Sequence, residues 1–193
     1  MRQLLVLVLI PMMVLLSSCE STAVRTPSVT KKTSVDYHKV PVRDIAVLPI
    51  EVALPNASDS WHVPAAALRR GILKAVVGLK DYATPRTEWV DQQLEKTPGS
   101  AVDLNTDAIL SVVIDQWDES RIRTNGAIYV GARFELRDPN NRVLWEYSCH
   151  DVRLVSGANK AVRVEQIRAD AATGLIQQVV GTLPKKQLAN VGS

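Results

Sequence analysis

An α/β (α+β) domain, built on a mixed β-sheet with an antiparallel C-terminal meander and helices mainly on one face, is the architecture this 193-residue chain predicts. Three observations carry that reading. Three late segments alternate apolar and polar residues with period two, one early segment is apolar without interruption, and two further segments carry apolar residues at helical spacing. Alternation suits a strand with one face packed, whereas a continuous apolar run suits a strand buried on both.

In chain order, Ile45-Ala46-Val47-Leu48-Pro49-Ile50 is the continuous run, and Pro49 ends its pairing because it has no backbone donor. Leu54 to Trp61, with Pro55, Asn56 and Asp59, reads as a polar loop. Pro64 suits a first helical position, and Ala65, Leu68, Ile72, Ala75, Val76 and Leu79 form a stripe opposite Arg70 and Lys74, which is a helix packing on a sheet. Tyr82 to Thr84 reads as a short second strand, and Thr87 to Lys96 as a short helix carrying Trp89 and Leu94 before a Pro98-Gly99 break.

The meander follows. Leu110, Val112 and Ile114, then Ile128, Val130, Ala132, Phe134 and Leu136, then Val143, Trp145, Tyr147 and Cys149 share one apolar face. Asp138-Pro139-Asn140-Asn141 has the chemistry of a type I turn, and a hairpin centred there pairs Leu136 with Val143, Phe134 with Trp145, Ala132 with Tyr147 and Val130 with Cys149. A closing helix carries Val164, Ile167, Ala171, Leu175 and Val179 and ends near Leu183-Pro184. Ile176 and Val180 widen its apolar arc beyond one sheet contact, and that excess could cover a partner.

The N-terminus has a different character. Arg2 precedes a thirteen-residue apolar run, Leu4 to Leu16, which reads as a secretory leader because a membrane span needs roughly 20 residues. Leu16-Ser17-Ser18-Cys19 resembles the bacterial lipobox, so residues 1–18 are expected to be removed and Cys19 to become an acylated N-terminus. Three acyl chains, at about 0.8 kcal/mol per buried methylene, exceed what stable anchoring needs. Glu20 stands where an aspartate retains many lipoproteins in the inner membrane, so the outer membrane is expected, with the protein facing the periplasm. Residues 19–43, rich in Ser, Thr, Val and Lys with Pro27 and Pro41, show neither alternation nor a stripe and read as a tether. A single domain over 44–184 and a tail over 185–193 complete the organisation.

Composition narrows the function. The formal charge of +3 comes without a Lys/Arg run longer than the pairs Lys31-Lys32, Arg69-Arg70 and Lys185-Lys186, so the footprint of nucleic-acid binding is missing. With Cys19 acylated, Cys149 has no disulfide partner and is expected buried and reduced. Cys149-His150-Asp151 holds the residue types of a cysteine-nucleophile triad, yet neighbours on a strand point to opposite faces, so His150 cannot serve the thiol. His38, His62 and His150 lack metal-ligand spacing, and no glycine-rich phosphate loop or nucleophile elbow occurs, so no metal, cofactor or small-molecule substrate is expected. The tryptophans at 61, 89, 117 and 145 are evenly spaced, but nothing else in their surroundings repeats.

Asp36-Tyr37, Ile45-Ala46-Val47-Leu48-Pro49, Asp107-Ala108-Ile109-Leu110 leading to Gln116-Trp117, and the stretch from Leu136 to Trp145 together resemble a family of bacterial lipoproteins first noticed as a neisserial surface antigen. Their domain is similar to the N-terminal domain of TolB and to the lipoprotein activators of penicillin-binding proteins. The resemblance covers most of residues 36–183 and implies a TolB N-terminal type of fold and a non-enzymatic accessory role in a cell-envelope complex, with no catalytic residues to carry over. The chain departs after Leu154, where the family often has a glycine-rich stretch and this sequence has only Ser156-Gly157-Ala158. An alternative is the auxiliary lipoprotein of an envelope ABC transport system, which has the same leader, a similar meander and a similar closing helix.

The partner is then expected to be an envelope protein or a second copy of the chain. Trp117 and Tyr129 should project from the polar face of the sheet, either as exposed anchors or beneath a second layer of the same domain. Arg133 is expected opposite Glu146 and Tyr129 opposite His150. Trp117, Tyr129, Arg133, Glu146 and His150, with Ile176 and Val180 on the closing helix, form the candidate partner surface.

Overall fold

A computed structural model describes residues 25–96, 104–156 and 163–185. The leader, Cys19, the Pro98-Gly99 break and the tail beyond 185 lie outside the described residues. In order, the elements are β1 (Ser28–Thr33), β2 (Ile45–Val47), β3 (Glu51–Val52), α1 (Ala65–Gly78), α2 (Thr87–Lys96), β4 (Ala108–Asp118), α3 (Ile122–Asn125), β5 (Ala127–Arg137), β6 (Val143–Val155) and α4 (Val164–Val180). Short 3-10 turns cover Tyr37–Lys39 and Ala57–His62.

The sheet runs β1-β6-β5-β4-β2, with β3 continuing the parallel pairing to β4. β4, β5 and β6 form the expected antiparallel meander. α1 and α4 cover one face through Leu68, Ile72, Val76, Leu175 and Val179, packed on Leu110, Val112, Phe134, Leu136 and Trp145. β2 is fully buried because α2 covers its other side, where Ala46, Val90 and Leu104 form a second small cluster. α2 thus buries Val90, while Trp89 keeps 37% of its surface exposed. α1 begins one residue after Pro64, which sits at its cap. The segment expected as a second strand contributes one bridge, Ala83 to Asp44, which lies along the outer edge of β2.

Two expectations are corrected. Residues 28–33 of the supposed tether are β1, paired antiparallel with β6 from Ser28↔His150 to Thr33↔Trp145. All six of its residues are exposed, so the strand is held by backbone hydrogen bonds alone and leaves no apolar period to read. Beyond it, the Tyr37 hydroxyl meets that of Tyr82 and donates to the Pro184 carbonyl at 3.0 Å, and Val42 is buried, so the domain starts well before Asp44.

The second correction concerns register. Leu136 pairs with Trp145, Phe134 with Tyr147, and Ala132 with Cys149, two residues along from the simple hairpin. Asn141 adopts a left-handed φ of 63° as the turn closes Asp138 on Arg142, and an irregularity between Leu136 and Arg137 inserts Leu144. Two single-residue insertions preserve the facing of every side chain beyond them. Val143 is left 37% exposed and Leu144 takes its place in the core.

Candidate interaction surface

The end of the sheet where β4 passes into β5 is built around irregularities. Asp115 is an extra residue in β4, because Ile114 pairs with Ala132 and Gln116 with Gly131. The insertion reverses the facing of everything after it. Trp117 therefore turns to the helix side and is buried at 6% exposure, which corrects its placement on the polar face. Across the same rows β6 carries its own bulge, in which Asp151 has φ 53°. The Gln116 side chain holds it there, donating to Asp151 Oδ1 at 2.7 Å and accepting from the Asp151 amide at 2.9 Å. Gly131 sits between them because a Cβ would lie 2.4 Å from Asp115 Oδ1 and 2.8 Å from Gln116 Cβ.

Above the bulges lies a charged hub on Glu119. Its Oε1 accepts from the Trp117 indole at 2.9 Å and from Arg168 Nε at 2.7 Å, and its Oε2 accepts from Arg168 Nη2 at 2.7 Å and lies 3.1 Å from His62 Nδ1. Arg168 also meets His62. Desolvation pushes the Glu119 carboxyl upward, but the hydrogen bonds from Arg168 and Trp117 and the charges of Arg168 and His62 outweigh it and hold the group below the usual carboxylate range. Asp59, His62, Trp117, Asp118, Glu119 and Ser120 line a cleft of about 290 Å³ beside this hub. Trp61, the neighbour of His62 in the chain, has 72% of its surface exposed, its ring 3.6 Å from that of His62 and 5.7 Å from the Arg168 guanidinium. Periodicity could not single out Trp61, because a lone aromatic in a polar loop carries no repeat.

Tyr129 lies on the polar face as expected, but Arg25 partly covers it, its guanidinium 4.4 Å over the ring while pairing with Asp118. Arg133 is exposed opposite Ser148, and Glu146 sits opposite Glu135 on one side and Lys32 on the other, so the expected Arg133–Glu146 pair does not form. Tyr129 likewise faces Arg153, and His150, which is exposed, faces Ser28 across the edge strand. Glu135 is instead paired with Arg137 at 2.6 Å. The two-residue shift accounts for the pairings of Arg133 and Glu146, and the β6 bulge adds the further residue that sets Tyr129 opposite Arg153.

Ile176 and Val180 are buried at 8% and 4% exposure, so the wide arc of α4 is covered within the domain. α1 does the covering: Ile176 Cδ1 occupies the space where a side chain on Gly71 would begin. Cys149 is buried on the helix side while His150 points outward, and burial pushes the thiol pKa up to about 11, which keeps it protonated. Among the described residues no cluster of His, Cys, Asp or Glu could hold a metal ion.

No family model and no curated protein matches the chain. Among solved structures it is similar to PelC from Paraburkholderia phytofirmans, a dodecamer, at 17% identity and a TM-score of 0.52, covering 84% of this chain and 100% of that one. Lipoprotein GNA1162 from Neisseria meningitidis aligns at 15% identity and a TM-score of 0.45, covering 72% and 99% of the two chains. Protein XCC0632 from Xanthomonas campestris aligns at 13% and 0.44, covering 80% and 91%. The chain shares the fold of PelC over that protein's whole length.

Proposed function

We propose that the chain is a lipoprotein held in the bacterial outer membrane by Cys19 and facing the periplasm, where it acts without catalysis as a binding or assembly accessory of an envelope complex and works as a homo-oligomer. The observation that carries this reading is the fold shared with PelC, which was solved as a dodecamer. The leader ending at Cys19 and the resemblance to lipoproteins with a TolB N-terminal type of domain support the location. Two features of the site support a non-catalytic role. Both oxygens of Glu119 are engaged by Trp117, Arg168 and His62, so the cleft's most buried carboxylate serves to hold structure. The only thiol among the described residues is protonated and faces the core.

Light scattering of the mature chain tests the assembly, with a multimer expected at micromolar concentration and a monomer at every concentration removing the oligomer from the proposal. Cross-linking in cells followed by affinity capture tests the accessory role. Envelope-assembly or wall-synthesis proteins are the expected partners, and recovery of a permease with its substrate-binding protein would replace this reading with the transport alternative.

A further inference from the structure

We infer that one end of the domain, formed by the Trp61 loop, the β4–β5 connection and the start of α4, is a docking face for the head groups of an anionic phospholipid bilayer. The inference rests on the lipid anchor at Cys19 proposed above. Its first support is the length of the leash. Arg25 is pinned at this end by its ion pair with Asp118, its place over the Tyr129 ring and a 3.6 Å approach to Asp151. Only six residue steps separate Cys19 from Arg25, a span of about 20 Å at full extension. Because β1 then folds back along β6, the segment that reads as a long tether is spent inside the domain. A domain tied this closely presents the end that holds Arg25 to the surface carrying its lipid.

The second support is the chemistry at that end. Trp61 is 72% exposed, and its contacts with His62 and Arg168 fix the ring at the surface. An indole with an apolar body and a polar N–H is the side chain that settles at the level of lipid head groups. Val155, at the end of β6 opposite Ala127 and just before Ser156, whose amide donates to the Gly126 carbonyl, is 50% exposed. Arg121, Arg123, Arg153 and Arg163 are exposed and have no ion-pair partner among the described residues. Of the acids at the same end, Asp118 and Glu119 are paired with Arg25 and Arg168 and Asp151 lies 3.6 Å from Arg25, while Asp59 and Glu165 are exposed and the half-buried Asp170 is hydrogen-bonded to Ser156 and Gln166. Four exposed guanidinium groups beside an aromatic anchor offer hydrogen-bond donors to phosphate head groups. Among the described residues no helix is long and apolar enough to cross a membrane.

The test uses residues 19–193 expressed without the leader and with Cys19→Ser, which carries no lipid, and vesicles of phosphatidylethanolamine with phosphatidylglycerol, compared with phosphatidylcholine alone. Cosedimentation should show binding to the anionic vesicles that weakens with added salt, together with a blue shift of tryptophan fluorescence. Arg121→Glu with Arg123→Glu should lower the partition coefficient by about tenfold or more. Trp61→Ala should lower it and remove most of the blue shift, and Arg86→Glu, beside the Asp44–Ala83 bridge at the far end of the sheet, should leave it unchanged. Circular dichroism melting reports whether each variant is folded, and all four positions are exposed. Absence of binding to anionic vesicles, or binding unaffected by the Trp61 and arginine variants, overturns the docking face. Acyl labelling of the intact chain reads the anchor separately, so an unlabelled Cys19 overturns the lipoprotein reading and not the affinity of this surface.

Discussion

Trp145 and Glu146 are neighbours in β6 with opposite environments. Trp145 is fully buried beneath the helices and stacked on Tyr147 at 6.3 Å, whereas Glu146 sits on the polar face between Glu135 and Lys32. Trp145→Ala should therefore cost about 3–5 kcal/mol, read from denaturant midpoints, because it empties the centre of the core. Glu146→Lys should cost about 0.5 kcal/mol, since an exposed cross-strand attraction to Lys32 is worth little. Glu119 offers a pH test. Its folded-state pKa is depressed, so it contributes stability above its unfolded pKa and loses it as pH falls through the folded value. Glu119→Gln should destabilise the protein at pH 7 by about 1–3 kcal/mol, with the two proteins converging in melting temperature as the pH is lowered below the ordinary glutamate range.

At the scale of elements, the two close-approach glycines differ in what they face. At Gly131 an added Cβ meets Asp115 Oδ1 and the Cβ of Gln116, both fixed by the double bulge. At Gly71 it meets only the terminal Cδ1 of Ile176, a rotatable end between α1 and α4. Gly131→Ala should accordingly cost about 2 kcal/mol or more, while Gly71→Ala should fall within about 1 kcal/mol of wild type because helix propensity offsets the crowding. Chemical denaturation of the two variants in parallel checks the difference. β1 is an edge strand that buries none of its side chains. Its amides should exchange with deuterium sooner than those of β5.

For the whole molecule, the position of the N-terminus matters most. If Cys19 carries the lipid, Arg25 and the double-bulged end of the sheet lie within a short reach of the bilayer, and the hairpin at 138–141 points away from it. Cys19→Ser should abolish acyl labelling and leave the unprocessed precursor, detected as a larger band, because the thiol is both the attachment point and the processing signal. A variant still cleaved and acylated would refute the lipoprotein reading.

Composition and periodicity were enough to read the leader pattern, the fold class, the one-sided meander and both packing helices, because each of those helices and strands buries one face and so repeats its apolar residues at 3.6 or 2. Signals of that kind vanish where backbone alone does the holding, as in β1, and they lose phase where a single residue is inserted, as at Asp115 and Asp151. Tertiary structure therefore decided that Trp117 is core, that Ile176 and Val180 are covered within the domain, and that Trp61 is largely exposed. It also decided where the chain's N-terminal arm is tied, since the Arg25–Asp118 pair joins residues 93 apart and leaves no local trace in the sequence.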